Sequence, residues 1–233
     1  MSVGMRIFLK RKMPQPHQIL ALSQIPAANI ADTMGRSCAL NPRIKLMSNP
    51  TDQITAGPAL TVKTRAGDNL VIHQTLDMAQ AGDVIVVSND GDTTRALMGE
   101  IMFTYAKYKK VGAIILDGPL RDFDAASAMD FPIYATGTTP GGPYKEGPGE
   151  INVPISCGGI SVSPGDIMVM DSDGIIVVPR RDADPVIEAA TRLEALDAAK
   201  VAAAANGMAK REWVLKTIQQ KGFEIIDSSC EDA

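Results

Sequence analysis

Two short apolar runs constrain this chain more than any other feature. Val84-Ile85-Val86-Val87 and Ala113-Ile114-Ile115-Leu116 are rich in β-branched residues and show no polar alternation. That pattern suits strands buried on both faces of a parallel sheet. Between them lie a polar loop, Ser88 to Thr94, and a stretch from Gly99 to Lys110 that reads as a helix. Lys107, Lys109 and Lys110 near its end suit the negative pole of the helix dipole. Residues 84–116 therefore predict one β-α-β unit. Such units cross over right-handed, so both strands are expected to be parallel with their carboxyl ends on one edge. Parallel α/β sheets keep their chemistry outside that edge.

Chemistry-bearing residues stand where the second strand stops, in Asp117-Gly118-Pro119-Leu120-Arg121-Asp122-Phe123-Asp124. Gly99-Glu100 lies upstream by one helix and one strand, a separation that brings Glu100 back beside Arg121 and Asp122. The amides of Ile101 and Met102, at the start of the helix, form an anion cradle. Arg121 can hold a carboxylate by two parallel hydrogen bonds. Asp122 and Asp124 offer hard oxygen ligands for Mg²⁺ or Mn²⁺. Together these suit a small 2-oxo acid. Arg121 and the helix amides would take its carboxylate, and the cation would polarise its keto oxygen. The same residues admit a plainer account: a turn ion pair, a favourable first-turn charge at Glu100, and Asp122 as cap of the next helix. Asp90, Asp92 and Arg95, just upstream, either line such a site or are solvated loop residues.

Elsewhere, residues 14–40 read as helix broken at Pro26, 41–57 as loop and Ala59–Lys63 as strand. Asp68-Asn69 caps a helix running to about Ala81. After Ile133 the character changes. The Gly- and Pro-rich stretch 137–149 precedes short strands at 151–153, 160–162, 167–170 and 175–178, punctuated by tight turns. Asp171-Ser172-Asp173-Gly174 lacks the later acids of a calcium loop and reads as a hairpin turn. A long helix is expected at about 183–205, and a shorter one holds Trp213, Val214 and Ile218, before a polar tail from Asp227. The fold class is thus α/β, with a central β-α-β unit, a β-rich C-terminal half and C-terminal helices. It is read as one domain over 1–233, with its core at 17–205 and a helix and tail at 206–233.

Composition excludes several functions. Net charge is −4 and aromatics are 4% of the chain, against both a phosphate-backbone binder and a base-stacking surface; no nucleic-acid partner is expected. No apolar stretch approaches the ~20 residues of a membrane helix, so no membrane partner is expected either. Cys38, Cys157 and Cys230 are far apart with no metal spacing, which suits a reducing cytoplasm. No GxGxxG or P-loop is present, so no nucleotide or nucleoside site is expected. His73 reads as a packed or surface helix residue, and Cys157 as a small buried one.

In this order, Asp68-Asn69, Gly82-Asp83-Val84, Gly99-Glu100, Arg121-Asp122, Gly149-Glu150, Val153-Pro154, Gly158-Gly159, Pro164-Gly165-Asp166 and Asp173-Gly174 resemble a known family. It comprises the class II pyruvate aldolases that cleave 4-hydroxy-4-methyl-2-oxoglutarate and 4-carboxy-4-hydroxy-2-oxoadipate, together with the non-enzymatic regulators of ribonuclease E activity. The resemblance implies a swivelling β/β/α fold and a ring-shaped homotrimer or hexamer with sites between subunits. It implies that Asp122 ligates a divalent cation, that Arg121 contacts the substrate and steadies an enolate, and that Glu100 holds cation-bound water. Gly99 and the Ile101 and Met102 amides would bind the pyruvoyl end. Oxaloacetate decarboxylation is implied as a companion activity. A further carboxylate from a neighbouring subunit's C-terminal helix is implied, with Glu194 and Asp197 as candidates. Ala125 stands where the family often has an acid, with Asp124 one step earlier. If the chain were instead a regulator, its partner would be ribonuclease E.

Overall fold

A computed structural model describes residues 2–231. The helices are α1 (Pro16–Leu22), α2 (Ala27–Thr33), α3 (Leu70–Met78), α4 (Glu100–Tyr108), α5 (Phe123–Ser127), α6 (Ala183–Ala205) and α7 (Glu212–Gln220). The strands are β1 (Lys45–Leu46), β2 (Thr55–Thr64), β3 (Val84–Ser88), β4 (Ala113–Asp117), β5 (Ile133–Ala135), β6 (Gly149–Ile151), β7 (Ile155–Cys157), β8 (Ile160–Val162), β9 (Ile167–Asp171) and β10 (Gly174–Val178).

The β-α-β unit forms as its sequence dictates. Strands β3 and β4 run parallel, in register from Val84 against Ala113 to Ser88 against Asp117. Both are buried throughout, and the reason is visible on their two faces. Ile85, Val87, Ile114 and Leu116 pack against Ile72, Leu76 and Phe103 of α3 and α4. Val84, Val86, Ala113 and Ile115 face the other way, onto Cys157, Val162, Met168 and Met170 of the β-rich half. Each such aliphatic side chain contributes about 1.5–3 kcal/mol on burial. A strand covered on both faces needs no polar alternation. A third cluster joins Leu22 and Ile30 to Val169, Val178 and the start of α6 at Ala183 and Ala190.

The sheet order is β1-β5-β4-β3-β2-β9-β10, and β6 also pairs with β2. Strand β2 is longer than the 59–63 segment read from sequence. Its first residues, Thr55 to Pro58, pair antiparallel with β9. Its middle runs parallel to β3, and its end pairs antiparallel with β6. Gly57 and Pro58 hide this extension in the sequence, since both residues argue against a strand interior. Gly57 is required by packing: a Cβ there would collide with the Gly82 carbonyl and come within 2.9 Å of Val84.

Downstream the strands are mostly where expected, with three changes. The strand placed at 151–153 is 149–151, because Asn152 adopts a left-handed conformation (φ 58°) and ends it. Strands β5 and β7 were too short to stand out as apolar runs. Helix α3 stops at Met78, short of Ala81. The Asp171–Gly174 segment is the β9–β10 hairpin turn, as read. The architecture is the α/β arrangement the sequence predicts.

Two compact units are delimited, one ending at Leu193 and one beginning at Glu194. The second comprises the end of α6 and α7, whose Trp213 and Leu215 are exposed. Among the described residues no helix is long and apolar enough to cross a membrane.

Candidate active site

The site is built where β4 ends. Asp117, the last residue of the strand, is buried and structural: its carboxylate accepts the Gly158 amide (2.8 Å) and a guanidinium N–H of Arg43 (2.6 Å). Beyond it, two backbone hydrogen bonds zip the next segment to the entry of α4. The Leu97 amide donates to the Pro119 carbonyl (2.9 Å), and the Arg121 amide donates to the Met98 carbonyl (3.0 Å). This ladder sets Gly99 directly against Arg121 and Asp122. A Cβ on Gly99 would lie 2.9 Å from Arg121 Cγ and 3.0 Å from its Nε, and would overlap the Asp122 carboxylate. The position requires glycine because two side chains occupy the space.

Asp122 is in the left-handed region (φ 57°, ψ 50°), which Asp tolerates better than most residues. It stands at the N-cap of α5 without making a side-chain cap there. Its Oδ2 instead accepts the Glu100 amide at 3.0 Å, so it caps α4, the helix that starts across the cleft. The Arg121 Nε lies 3.5 Å from the same oxygen, and both side chains are more than 40% exposed (44% and 43%). A pair this exposed is worth about 0–1 kcal/mol. The ion pair itself therefore adds little stability, and the contribution of Asp122 to the fold comes through the α4 amide.

At the start of α4 the Met102 and Phe103 amides both donate to the Gly99 carbonyl (3.0 Å each). Of the two amides expected to cradle an anion, the Met102 group is thus bonded within the turn. The Ile101 amide has no acceptor among the described residues. Glu100 is exposed on the first turn of α4, and Asp124 is exposed on the first turn of α5. Glu194 and Asp197 belong to the second unit, where Lys200 donates to Asp197 (2.8 Å).

A cavity of about 210 Å³ opens beside Arg121. Gly99, Ile101 and Met102 form one wall, Asn69 and His73 of the α3 region another, and Gly142, Pro143 and Lys145 a third. Arg121 and Lys145 are its cations, and no carboxylate lines it. Partial burial, and then the charge of Lys145, hold the His73 pKa below its ordinary value, so the ring is neutral near pH 7. The cavity suits a small anion.

Asn69 and Lys145 escape a reading of the sequence as site residues, whereas the Gly- and Pro-rich 137–149 stretch, by its composition, offers Gly142 and Pro143 as pocket lining. Asp68 and Asn69 divide the capping role expected of both. Buried Asp68 accepts the Leu70 amide at the start of α3 (2.9 Å) and also the Glu146 and Gly147 amides (2.8 and 2.9 Å). Asn69 instead reaches across to the Leu97 carbonyl (3.0 Å). Asp68 thereby ties the Gly- and Pro-rich stretch to the α3 entry. The one sequence signal for this was the loop's composition.

The donor set can be tested against a hard cation. Among the described residues no group of three or more His, Cys, Asp or Glu gathers. A closed protein cage is therefore not what these residues offer. Mg²⁺ keeps several waters and is commonly held through one or two carboxylates. Asp122, with one oxygen facing the α4 amide and the other open, fits that mode.

Comparison with known proteins places the chain. Residues 27–177 match the family described as RraA-like, Aldolase/RraA. A Halalkalibacterium halodurans protein, provisionally named 4-hydroxy-4-methyl-2-oxoglutarate aldolase, is 40% identical over 195 residues, covering 83% of this chain and 92% of that one. The chain belongs to the RraA-like family. Among solved structures, Streptomyces coelicolor RraAS2, described as an unusual member of the RNase ES inhibitor RraA family, superposes with a TM-score of 0.72 at 25% identity, covering 81% of this chain and 97% of that one. An uncharacterized Pseudomonas syringae protein shares the fold with a TM-score of 0.74 at 24% identity, covering 84% and 96%. The RraA-like family thus carries both an aldolase name and an inhibitor name.

Proposed function

We propose that this RraA-like protein is a divalent-metal-dependent lyase that cleaves a C–C bond of a 4-hydroxy-2-oxo acid to release pyruvate, and that it decarboxylates oxaloacetate by the same route. The observation that carries this reading is the Arg121–Asp122 pair, pressed against Gly99 and the start of α4 beside a small cavity with cationic walls.

Asp122 would hold the cation, Mg²⁺ or Mn²⁺, with Glu100 ordering water at the mouth. When bound, the cation supplies Lewis acidity to the 2-oxo group. The open Ile101 amide and the positive pole of α4 receive the substrate carboxylate. Arg121 faces the 2-oxo oxygen. In aldol cleavage the C4 hydroxyl would give its proton to the water ordered by Glu100, and the C3–C4 bond breaks as C4 becomes a carbonyl. The electron pair of that bond moves toward C3 and the 2-oxo oxygen, and the same water returns a proton to C3 to complete pyruvate. In oxaloacetate the departing group is CO₂ and the electron pair takes the same path. Arg121 is positioned for the charge that develops on that oxygen, a kind of stabilisation worth about 10²–10³ in kcat per donor. The reading includes assembly of subunits into a ring, with sites between neighbours.

The test is pyruvate release from oxaloacetate and from 4-hydroxy-4-methyl-2-oxoglutarate, with Mg²⁺ or Mn²⁺ and then with EDTA. Release that stops on chelation and in Arg121→Ala supports the reading, and release that survives both defeats it. The likeness to RraAS2 favours a second reading, a non-catalytic regulator that binds ribonuclease E. Retention of ribonuclease E in a pull-down, with no pyruvate release from either substrate, would select it.

A further inference from the structure

We infer that Arg95 is a positioning residue for Arg121, acting through the 142–145 loop that walls the cavity. The inference rests on the lyase reading for its kinetic consequences and on geometry for its mechanism.

Arg95 stands four residues before Gly99, outside the cavity. Its guanidinium is committed to the opposite wall. One N–H donates to the Gly142 carbonyl at 3.0 Å and another to the Tyr144 hydroxyl at 2.8 Å. The guanidinium carbon lies 4.2 Å from the centre of the Tyr144 ring. The backbone supports the same join, with the Ala96 amide donating to the Gly141 carbonyl (2.8 Å) and the Tyr144 amide to the Gly67 carbonyl (2.8 Å). The stem of Arg95 lies over Gly67, where a Cβ would come within 2.9 Å of Arg95 Cδ. Gly67 has φ +67°, so that surface stays bare and the stem has one course to follow. Among the described residues the Arg95 guanidinium has no carboxylate partner; Asp92 accepts only its backbone amide (3.3 Å). Its charge is directed at a carbonyl, a hydroxyl and a ring of the wall.

The wall in turn borders Arg121 across a gap no larger than a methyl group: a Cβ on Gly142 would lie in ordinary contact, 3.5 Å from Arg121 Nη1, and both residues line the same cavity. Arg121 is therefore flanked by two glycine backbones, Gly99 on the helix side and Gly142 on the loop side. The first is fixed by the ladder to Pro119 and the second by Arg95. Releasing Gly142 would widen that gap and let the guanidinium swing toward the loop. Displacements of about 1 Å at a reacting centre cost up to ~10²-fold in rate.

The experiment compares wild type, Arg95→Met, Arg95→Lys and Tyr144→Phe, with oxaloacetate and Mn²⁺. Arg95→Met keeps the stem on Gly67 and removes both hydrogen bonds and the cation–π contact. We expect kcat to fall about tenfold or more, with Mn²⁺ affinity at Asp122 within about twofold of wild type. Arg95→Lys, which cannot span Gly142 and Tyr144 together, should fall with Arg95→Met. Tyr144→Phe keeps the ring and the Gly142 bond and should fall by about threefold or less. An Arg95→Met variant with wild-type kcat overturns the proposal, as does a loss confined to thermal stability. The Nε–H resonance of Arg121, assigned through Arg121→Lys, gives a readout independent of turnover. A shifted or broadened signal in Arg95→Met supports the coupling even if wild type releases no pyruvate, a result that would sink the lyase reading alone. An unchanged signal rejects the coupling whatever the kinetics.

Discussion

Replacing Gly99 with alanine separates the geometry of the site from the stability of the fold. The backbone there is extended (φ −150°, ψ −170°), a conformation alanine adopts without strain. The added methyl, however, would sit 2.9 Å from Arg121 Cγ and closer still to the Asp122 carboxylate. Relieving that overlap to an ordinary contact of 3.4 Å or more moves the carboxylate by roughly 1 Å, a displacement that costs up to ~10²-fold in rate when it falls on a catalytic group. The same movement breaks the 3.0 Å bond from the Glu100 amide. A hydrogen bond to a charged group contributes about 1.5–3 kcal/mol, and the exposure of Asp122 puts this one at the low end. A loss near 1.5 kcal/mol lowers Tm by about 3–6 °C in a chain of this size. Gly99→Ala should therefore remain folded, melt a few degrees lower, and lose about a hundredfold in kcat/KM for oxaloacetate. Pyruvate is followed by coupled reduction with NADH, and melting by circular dichroism. A variant within threefold of wild-type kcat/KM would refute the claim that the Arg121–Asp122 placement against α4 matters to function.

Other perturbations probe the remaining parts. Asp122→Asn keeps an oxygen for the Glu100 amide and removes the charge; melting should be unchanged while Mn²⁺ binding, by titration calorimetry, weakens at least about tenfold and turnover is lost. Asp68→Ala leaves the Leu70, Glu146 and Gly147 amides without their acceptor and should cost about 3 kcal/mol or more in urea unfolding; a loss under about 1 kcal/mol contradicts the role given to this carboxylate. Arg6, bonded to Glu150, holds that carboxyl below its ordinary range. A depressed carboxyl binds fewer protons folded than unfolded, so its contribution is present above about pH 4.3 and disappears as pH falls through the folded value. The stability gap between wild type and Arg6→Gln should then close on acidification below about pH 4; a gap independent of pH argues against the pairing.

The β-α-β unit was legible because its two strands are covered on both faces and so stay apolar until their last residues, Ser88 and Asp117. Its edge was legible for the same reason, which is why the sequence alone places Gly99, Glu100, Arg121 and Asp122 together. The other wall of the cavity was not. Asn69, Lys145 and Gly142 come to line one cavity with Arg121 through long-range backbone bonds such as Tyr144 to Gly67, and no local pattern encodes those. Strand β2 was half legible: its apolar centre is plain, but Gly57, which a close approach of the Gly82 carbonyl keeps bare, and Pro58 mask the pairing with β9. The role of Asp122 was open between capping the next helix and serving a site. The left-handed backbone at Asp122 turns the carboxylate back toward α4, where it accepts the Glu100 amide in place of capping the next helix.

Strand β2 also has a consequence in time. One edge of it receives β3 soon after synthesis, but its first residues wait for β9, and Thr55 is separated from its partner Met170 by about 115 positions. At about 5–20 residues per second on a ribosome, that edge stays open for roughly 6–23 s. An open strand edge is a template for other chains, so this protein should be most vulnerable to aggregation while its second half is still being made. Truncations between β8 and β9 should precipitate, whereas chains extended past β10 should not.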